Sequence, residues 1–328
     1  MRDTIEPRPR GVATHRWILF LGLLMLVGVA LRAGPAAAQV AWSALSLDEA
    51  LAEAQETGQL VLVDVFSDHC GGCGEQEAQV WSTMDGAVAV QGLIPLKLDS
   101  GSAAGQALAR RYPVTGLPTV MALDPDGAEI DRIVGYTRKS EFLDQMALLR
   151  SGVDPVPELE EQLAANPGDG ELTLRVLQKY LDRQRLPEAQ VLIERAVVLD
   201  PDGKAMLAER ALSALARYQD YFLLDPAAAD ATWRRLAEGY PESSSVGAAI
   251  KETFDYAKSN GQLEAWVTWA CGLTAKHPEA GRLSYNVAIF ASRSQLRGAC
   301  LAEAARNAKR LGVGPAWMDS IAVVLESK

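Results

Sequence analysis

Cys70-Gly-Gly-Cys73 constrains this chain more than any other feature, because it closely follows the apolar run Gln59-Leu-Val-Leu-Val-Asp-Val-Phe66. A buried strand feeding a helix at a Cys-x-x-Cys places two thiols on the first helical turn. There they can close a small disulfide ring and open it again. The first thiol lies where unpaired N–H groups and the positive end of the helix dipole stabilise a thiolate. The thiolate is the attacking form, so Cys70 is the candidate nucleophile and Cys73 its partner in thiol–disulfide exchange.

The segment 1–38 sets the expected compartment. Arg2, Arg8, Arg10 and Arg16 form a basic start, and the apolar stretch from Trp17 to Leu31 is short for a membrane span. Ala36-Ala37-Ala38 supplies the small residues of a cleavage site, so 1–38 reads as a signal peptide cleaved after Ala38. The alternative is an uncleaved anchor. Cleavage removes five Arg and two acids and takes the net charge from −10 to −13. A chain this acidic lacks the basic patches that nucleic acid and anionic membranes require. All four Cys follow Ala38, so the protein is expected in the periplasm or otherwise exported, where disulfides persist. Zinc on the Cys-x-x-Cys would need two further ligands, and His69, His277, Cys271 and Cys300 lack metal-like spacing. No metal or dissociable cofactor is expected.

Two regions follow the leader. Over 39–150, strand and helix signals alternate in the order α-β-α-β-α-β-β-α. Ser46-Leu-Asp-Glu49 is a capping box for a helix over 47–57. Leu60 to Phe66 reads as a strand buried on both faces, broken only by Asp64. Cys70 opens a helix reaching Trp81, Leu93 to Leu98 is a strand, and Ala103 to Arg111 is helical. Asp124-Pro-Asp-Gly127 turns a hairpin between strands 119–123 and 129–134, and 140–149 closes the unit as a helix. Residues 151–157 read as a linker. From 158 to 328 the pattern is all-helical, punctuated by Asn166-Pro167, Asp200-Pro201, Tyr240-Pro241 and His277-Pro278. The spacing from Pro167 to Pro201 is a tetratricopeptide period, with Tyr180, Ala189, Ala196 and Pro201 at suitable positions. An irregular helical domain is the alternative, since 211–229 fits the repeat poorly. Cys271 and Cys300, well separated in the helical region, are either a structural disulfide between neighbouring helices or two buried thiols.

Residues 45–150 resemble the thioredoxin fold, and more narrowly the C-terminal periplasmic domain of the membrane reductase DsbD and related exported proteins. The resemblance rests on Asp64 six residues before Cys70, the Cys70/Cys73 pair, Glu75 and Glu77 followed by Trp81, Gly116-Leu-Pro-Thr119, and Gly135. It implies that Cys70 attacks a partner's disulfide and Cys73 resolves the mixed disulfide. It implies a cis Pro118 that presents the backbone of Leu117 to an extended chain; a trans turn proline is the alternative. Asp64 is then a buried acid of raised pKa that exchanges the Cys73 proton, although a strand-end acid satisfied by a neighbour is also open. The chain departs from the pattern at four places, the first being the Gly71-Gly72 dipeptide, which matches neither the common reducing nor the common oxidising version and leaves the redox direction open. His69 stands where Trp is usual, and is either an inert surface residue or a cation tuning Cys70. Gly74 replaces a basic residue. The lysine that pairs with the buried acid has no clear counterpart: alignment on Asp99 puts Pro95 there, with Lys97 close by.

The expected protein is therefore an α/β thioredoxin fold followed by an all-α, tetratricopeptide-like domain. Its expected activity is reduction of disulfides in exported proteins. Electrons would come from a membrane donor, and a protein partner would dock on the helical repeats. The rival expectations are a disulfide oxidase or isomerase, and a non-catalytic assembly scaffold.

Overall fold

The structure, a computed structural model, describes residues 39–327; the leader read over 1–38 lies outside the described residues. Helix α1 (Leu47–Thr57) starts at the capping box, where the Ser46 hydroxyl accepts from the Glu49 N–H and the Glu49 carboxylate accepts from the Ser46 N–H. Gly58 ends it at φ 72°, a left-handed conformation that costs glycine little. Then come β1 (Val61–Phe66), α2 (Gly71–Gln76), α3 (Met84–Ala89), β2 (Ile94–Asp99), α4 (Ala103–Arg111), β3 (Thr119–Leu123), β4 (Glu129–Val134) and α5 (Lys139–Arg150). The strands form one sheet in the order β2-β1-β3-β4, with β1 and β2 parallel and the other neighbours antiparallel. In the β3–β4 turn, the Asp124 carboxylate accepts from the N–H groups of Asp126 and Ala128.

The alternation of a strand assigns its side chains to two cores. Val61, Val63 and Val65 of β1 face α1 and α4, with Ala50, Leu51, Leu96, Leu108 and Met121. Leu62 faces the other way, with Trp81, Val120, Phe142 and Met146. Asp64 shares the parity of Leu62, so the sheet directs it toward the layer that carries the cysteine pair.

The first region holds one more helix than the sequence pattern suggests. The expected helix over 70–81 ends as α-helix at Gln76 and continues as a π-helical turn, Glu77–Trp81, which carries both Val80 and Trp81 into the core. The added helix α3 is short and exposes Met84 and Val88, so it leaves little periodic signal. Its Gly86 lies against the Val80 carbonyl, where a Cβ would stand 2.3 Å from the oxygen.

The described residues continue with α6 (Val156–Ala165), α7 (Gly170–Asp182), α8 (Leu186–Leu199), α9 (Leu207–Arg217), α10 (Pro226–Gly239), α11 (Val246–Ser259), α12 (Leu263–Lys276), α13 (Gly281–Arg293), α14 (Ala299–Arg310) and α15 (Met318–Glu326). Helix α6 begins inside the expected 151–157 linker, because Pro157 is tolerated in a first turn. The pairs α7/α8, α9/α10, α11/α12 and α13/α14 pack as successive hairpins over one core. Each hairpin turns through a left-handed residue: Gln184, Leu224, Gly261 and Gln295. The prolines between them, Pro201, Pro241 and Pro278, do not keep the even spacing that Pro167 and Pro201 begin. The run 211–229, which fits the expected repeat poorly, contains a π-helical turn at Tyr218–Phe222 within the second hairpin.

Helix α7 also closes the β4 edge of the sheet. Arg183 donates to the Ile130 carbonyl at 2.9 Å and Lys179 to the Arg132 carbonyl at 3.1 Å. The same cations pair with buried Asp131 at 3.0 and 2.6 Å, and Arg183 binds Asp154 of the connector at 2.8 Å. Replacing Asp131 with Ala leaves both cations part-buried with fewer partners. We expect Asp131→Ala to cost about 3 kcal/mol, the low end for breaking a buried pair. Urea unfolding of the two proteins checks this, and a difference within about 0.5 kcal/mol, the range of ordinary surface changes, would contradict it.

Candidate active site

Cys70 is the N-cap of α2 and is partly exposed, whereas Cys73, one turn later, is buried. The two are joined as a disulfide with their Cα atoms 5.2 Å apart, and the Cys73 N–H donates to the Cys70 sulfur at 3.1 Å. A partner's sulfur can therefore reach Cys70, while Cys73 faces inward.

The loop before β3 forms the opposite wall. The Leu117–Pro118 peptide bond is cis, and Pro118 Cδ lies 3.4 Å from where a Cβ on Gly72 would stand. The Pro118 carbonyl accepts from the Gly135 N–H at 2.8 Å, and Gly135 holds φ 82°, where a side chain would be strained. The Thr119 hydroxyl donates to the Gly116 carbonyl at 2.7 Å, which fixes the start of the loop. Tyr136 closes the wall and donates to Gln79.

Asp64 is 1% exposed, and among the described residues no hydrogen bond reaches either carboxylate oxygen. Its strand partner in the parallel β1–β2 register is Lys97, whose Nζ lies 3.8 Å from Oδ2. This corrects the expectation that the buried acid has no lysine: the register pairs Asp64 with Lys97, not with Pro95, which pairs with Leu62. Lys97 also binds Glu77 of the π-helical turn. Burial pushes Asp64 up to about 7; Lys97 opposes the shift and Glu77 adds to it. Burial acts on Glu77 in the same sense, but hydrogen bonds from Lys97 and Ser82 outweigh it and hold Glu77 below the ordinary range.

Trp42 is a contributor that no sequence pattern marks. Lys97 Nζ sits 5.4 Å from its ring centroid and 4.8 Å from that of Phe66. Trp42 packs edge-on against Trp81, which packs edge-on against Phe142. Backbone bonds from Val40 N to the Trp81 carbonyl and from Ser43 N to the Pro95 carbonyl pin this segment. No periodicity links positions 42, 81 and 97.

The other singled-out residues lie elsewhere. His69 is exposed and, among the described residues, has no hydrogen bond or ion pair. Gly74 and Glu75 are exposed on α2. Cys271 and Cys300 are joined between α12 and α14, with Cα atoms 5.7 Å apart, and Cys300 is exposed.

Comparison with known proteins agrees with this geometry. Residues 47–149 match the family described as a thioredoxin-like domain. This part of the chain has a thioredoxin-like fold. Over 101 residues it is 40% identical to thiol:disulfide interchange protein DsbD 2 of Pseudomonas aeruginosa, a match covering 30% of this chain and 17% of that protein. Over 100 residues it is 37% identical to thiol:disulfide interchange protein DsbD of Cronobacter sakazakii, covering 29% and 17%. The chain thus spans less than a fifth of these relatives' length. A solved thioredoxin from Thermus thermophilus is 32% identical, covering 34% of this chain and 87% of that one, with a TM-score of 0.30. Within the domain, the cysteine pair stands at the strand-to-helix junction that thiol–disulfide chemistry uses.

The raised Asp64 carboxyl makes a signed prediction. Between the ordinary carboxylate range and pH 7 the folded protein keeps a proton that the unfolded chain has lost, so Asp64 lowers stability as pH rises through that window. Asp64→Asn removes the penalty. The oxidised variant is expected to be more stable than the parent by about 2–4 kcal/mol at pH 8, with the gap closing below about pH 4. Urea unfolding across pH measures it, and a gap independent of pH would refute the assignment.

Proposed function

We propose that this protein is an exported thiol–disulfide oxidoreductase that reduces disulfides in exported proteins. The observation that carries the reading is the pairing of a reachable Cys70 with a buried Cys73, held between cis Pro118 and the layer into which Asp64 points. In the reduced protein, the Cys70 thiolate attacks one sulfur of a client disulfide. A Cys70–client bond forms, the client S–S bond breaks, and one client thiolate leaves. Cys73 gives its proton to Asp64 through water and attacks the Cys70 sulfur. The second client thiolate departs, and the two electrons of the dithiol end on the client. An external dithiol then reduces the Cys70–Cys73 bond again.

Several features support the wider reading. The Ala36-Ala37-Ala38 leader implies export, and the DsbD-like details imply a membrane donor and the reducing direction. We read the helical hairpins that follow Pro155, which pack in succession, as a tetratricopeptide-like array that would present a surface for a protein partner. Cys271–Cys300 then serves as a structural staple between two hairpins. One observation favours disulfide donation instead: His69 is exposed beside Cys70, where a cation would stabilise the thiolate.

The test is the reduction potential of the Cys70–Cys73 pair, measured in glutathione buffers with Cys271→Ser and Cys300→Ser in place. A value near about −270 mV, that of thioredoxin, supports a reductant; one near about −120 mV makes the protein a disulfide donor. Cys73→Ser is expected to accumulate a mixed disulfide with client peptides, whereas Cys70→Ser forms none. Absence of any reversible two-electron transition would overturn the redox reading in favour of a scaffold.

A further inference from the structure

A cleft of about 570 Å³ lies where the thioredoxin-like domain meets the helical region, walled by β4, α5, α6, α7 and α9. Its volume is in the range of ligand sites. Ile133, Leu159, Leu174 and Leu177 give it an apolar lining. Asp182, at the end of α7, also lines it. Asp182 is only 6% exposed. Gln178 donates to one of its oxygens, and among the described residues it forms no ion pair and its other oxygen accepts no hydrogen bond. Burial pushes its carboxyl up to about 6. The Gln178 hydrogen bond opposes that shift, as do the charges of Lys179 and Arg132, while Asp131 adds to it.

The nearby cations are engaged elsewhere. Lys179 pairs with Asp131, Arg132 with Glu129 and Arg210 with Glu171. Asp144, a second carboxylate of the lining, is exposed and unpaired among the described residues. A buried carboxylate without a cation, over an apolar lining, is complementary to a cation on an alkyl stem. Among the described residues no group of three or more metal-binding side chains is assembled, and the cleft is far larger than an ion needs. Arg175, exposed and unpaired on the same helix, opposes a bare cation but suits one carried on a chain with backbone carbonyls.

One lining residue ties the cleft to the loop that walls the cysteine pair. Glu141, part of its lining, accepts from Thr137. The adjacent residue, Tyr136, has its Cβ 4.0 Å from the Cβ position of Gly72.

We propose that this cleft is a client subsite, receiving a lysine or arginine side chain of the polypeptide whose disulfide meets Cys70. The proposal rests on the thiol–disulfide reading above and adds the substrate class to it.

The experiment uses single-cysteine peptides in mixed disulfide with glutathione. Lysine is stepped residue by residue away from the cysteine, with norleucine peptides as matched controls. At the best spacing the lysine peptide is expected to show a KM about fivefold below that of its control, with kcat unchanged. Asp182→Asn should raise KM for the lysine peptide about fivefold and leave that of the control within error. Asp144→Asn, at an exposed position that tolerates substitution, should raise it in the same direction. Equal KM for lysine and norleucine peptides at every spacing would overturn the proposal, as would a preference that survives both variants. Competition by 1,5-diaminopentane as strong as that of the peptide would assign the cleft to a free amine instead and would overturn the client reading. If wild-type protein fails to reduce β-hydroxyethyl disulfide, the redox reading has failed. Calorimetric binding of the Cys→Ser lysine peptide then decides the subsite by itself: binding lost in Asp182→Asn supports it, and no binding overturns it.

Discussion

A four-stranded open sheet has two edges, and how this chain covers them organises the rest of the molecule. An uncovered edge offers unpaired N–H and C=O groups to any passing strand. On the β2 side, the segment before α1 lies along the edge and Ser43 donates to the Pro95 carbonyl. Pro95 has no N–H to offer, which suits an outer strand. On the β4 side, Lys179 and Arg183 occupy the carbonyls of Arg132 and Ile130. Both covers reach the chemistry. The first brings Trp42 over Lys97. The second sets α7 against β4 and forms one wall of the cleft between β4, α5 and α7. The helical region is thus part of the sheet's boundary rather than a module on a free tether.

The site beneath the cysteine pair follows from the same sheet. Strand parity aims Asp64 at the Trp81 layer, and parallel register aims Lys97 at the same place. Bringing an acid into this layer is unfavourable, because the one cation within reach among the described residues is 3.8 Å away and shared with Glu77. At that separation and with that sharing, attraction does not offset desolvation. The carboxyl therefore stays protonated further up the pH scale than an ordinary aspartate. The arrangement lowers stability and keeps a carboxyl of raised pKa in the layer that holds Trp81, a balance common where function competes with stability.

Much of this was legible in the sequence wherever the signal was local. The Ser46–Glu49 capping box, the apolar run of β1, the Asp124–Gly127 turn and the helix opening at the cysteine pair all depend on close neighbours in the chain. What was not legible depends on long-range register or on residues with no pattern. Aligning on Asp99 missed Lys97, because only the pairing of β1 with β2 fixes which side chains share a face. Trp42 reaches Lys97 across α1, β1, α2 and α3, with no periodic signal between the two positions. Capping of the β4 carbonyls by α7 joins two regions whose sequences look independent. The spacing between Pro167 and Pro201 does not recur at Pro241 and Pro278, and the Tyr218–Phe222 turn, which sets the length of one hairpin, carries no sequence period.

The raised Asp64 carboxyl also bears on the order in which the two thiols act. Cys70 sits at the start of a helix, where its thiolate is stabilised without a base. Cys73 is buried, where desolvation disfavours the thiolate, so the attack we propose for it would need a proton acceptor. An ordinary aspartate, ionised at neutral pH, is too weak a base to take that proton efficiently. In the mechanism we propose, a carboxyl raised to about 7 is populated in both forms, so it would accept the proton in one half-reaction and return it in the other. Lys97 limits the rise, and Glu77 limits Lys97. Charge at Glu77 therefore acts on the Asp64 carboxyl both directly and through Lys97, from a turn that carries neither cysteine.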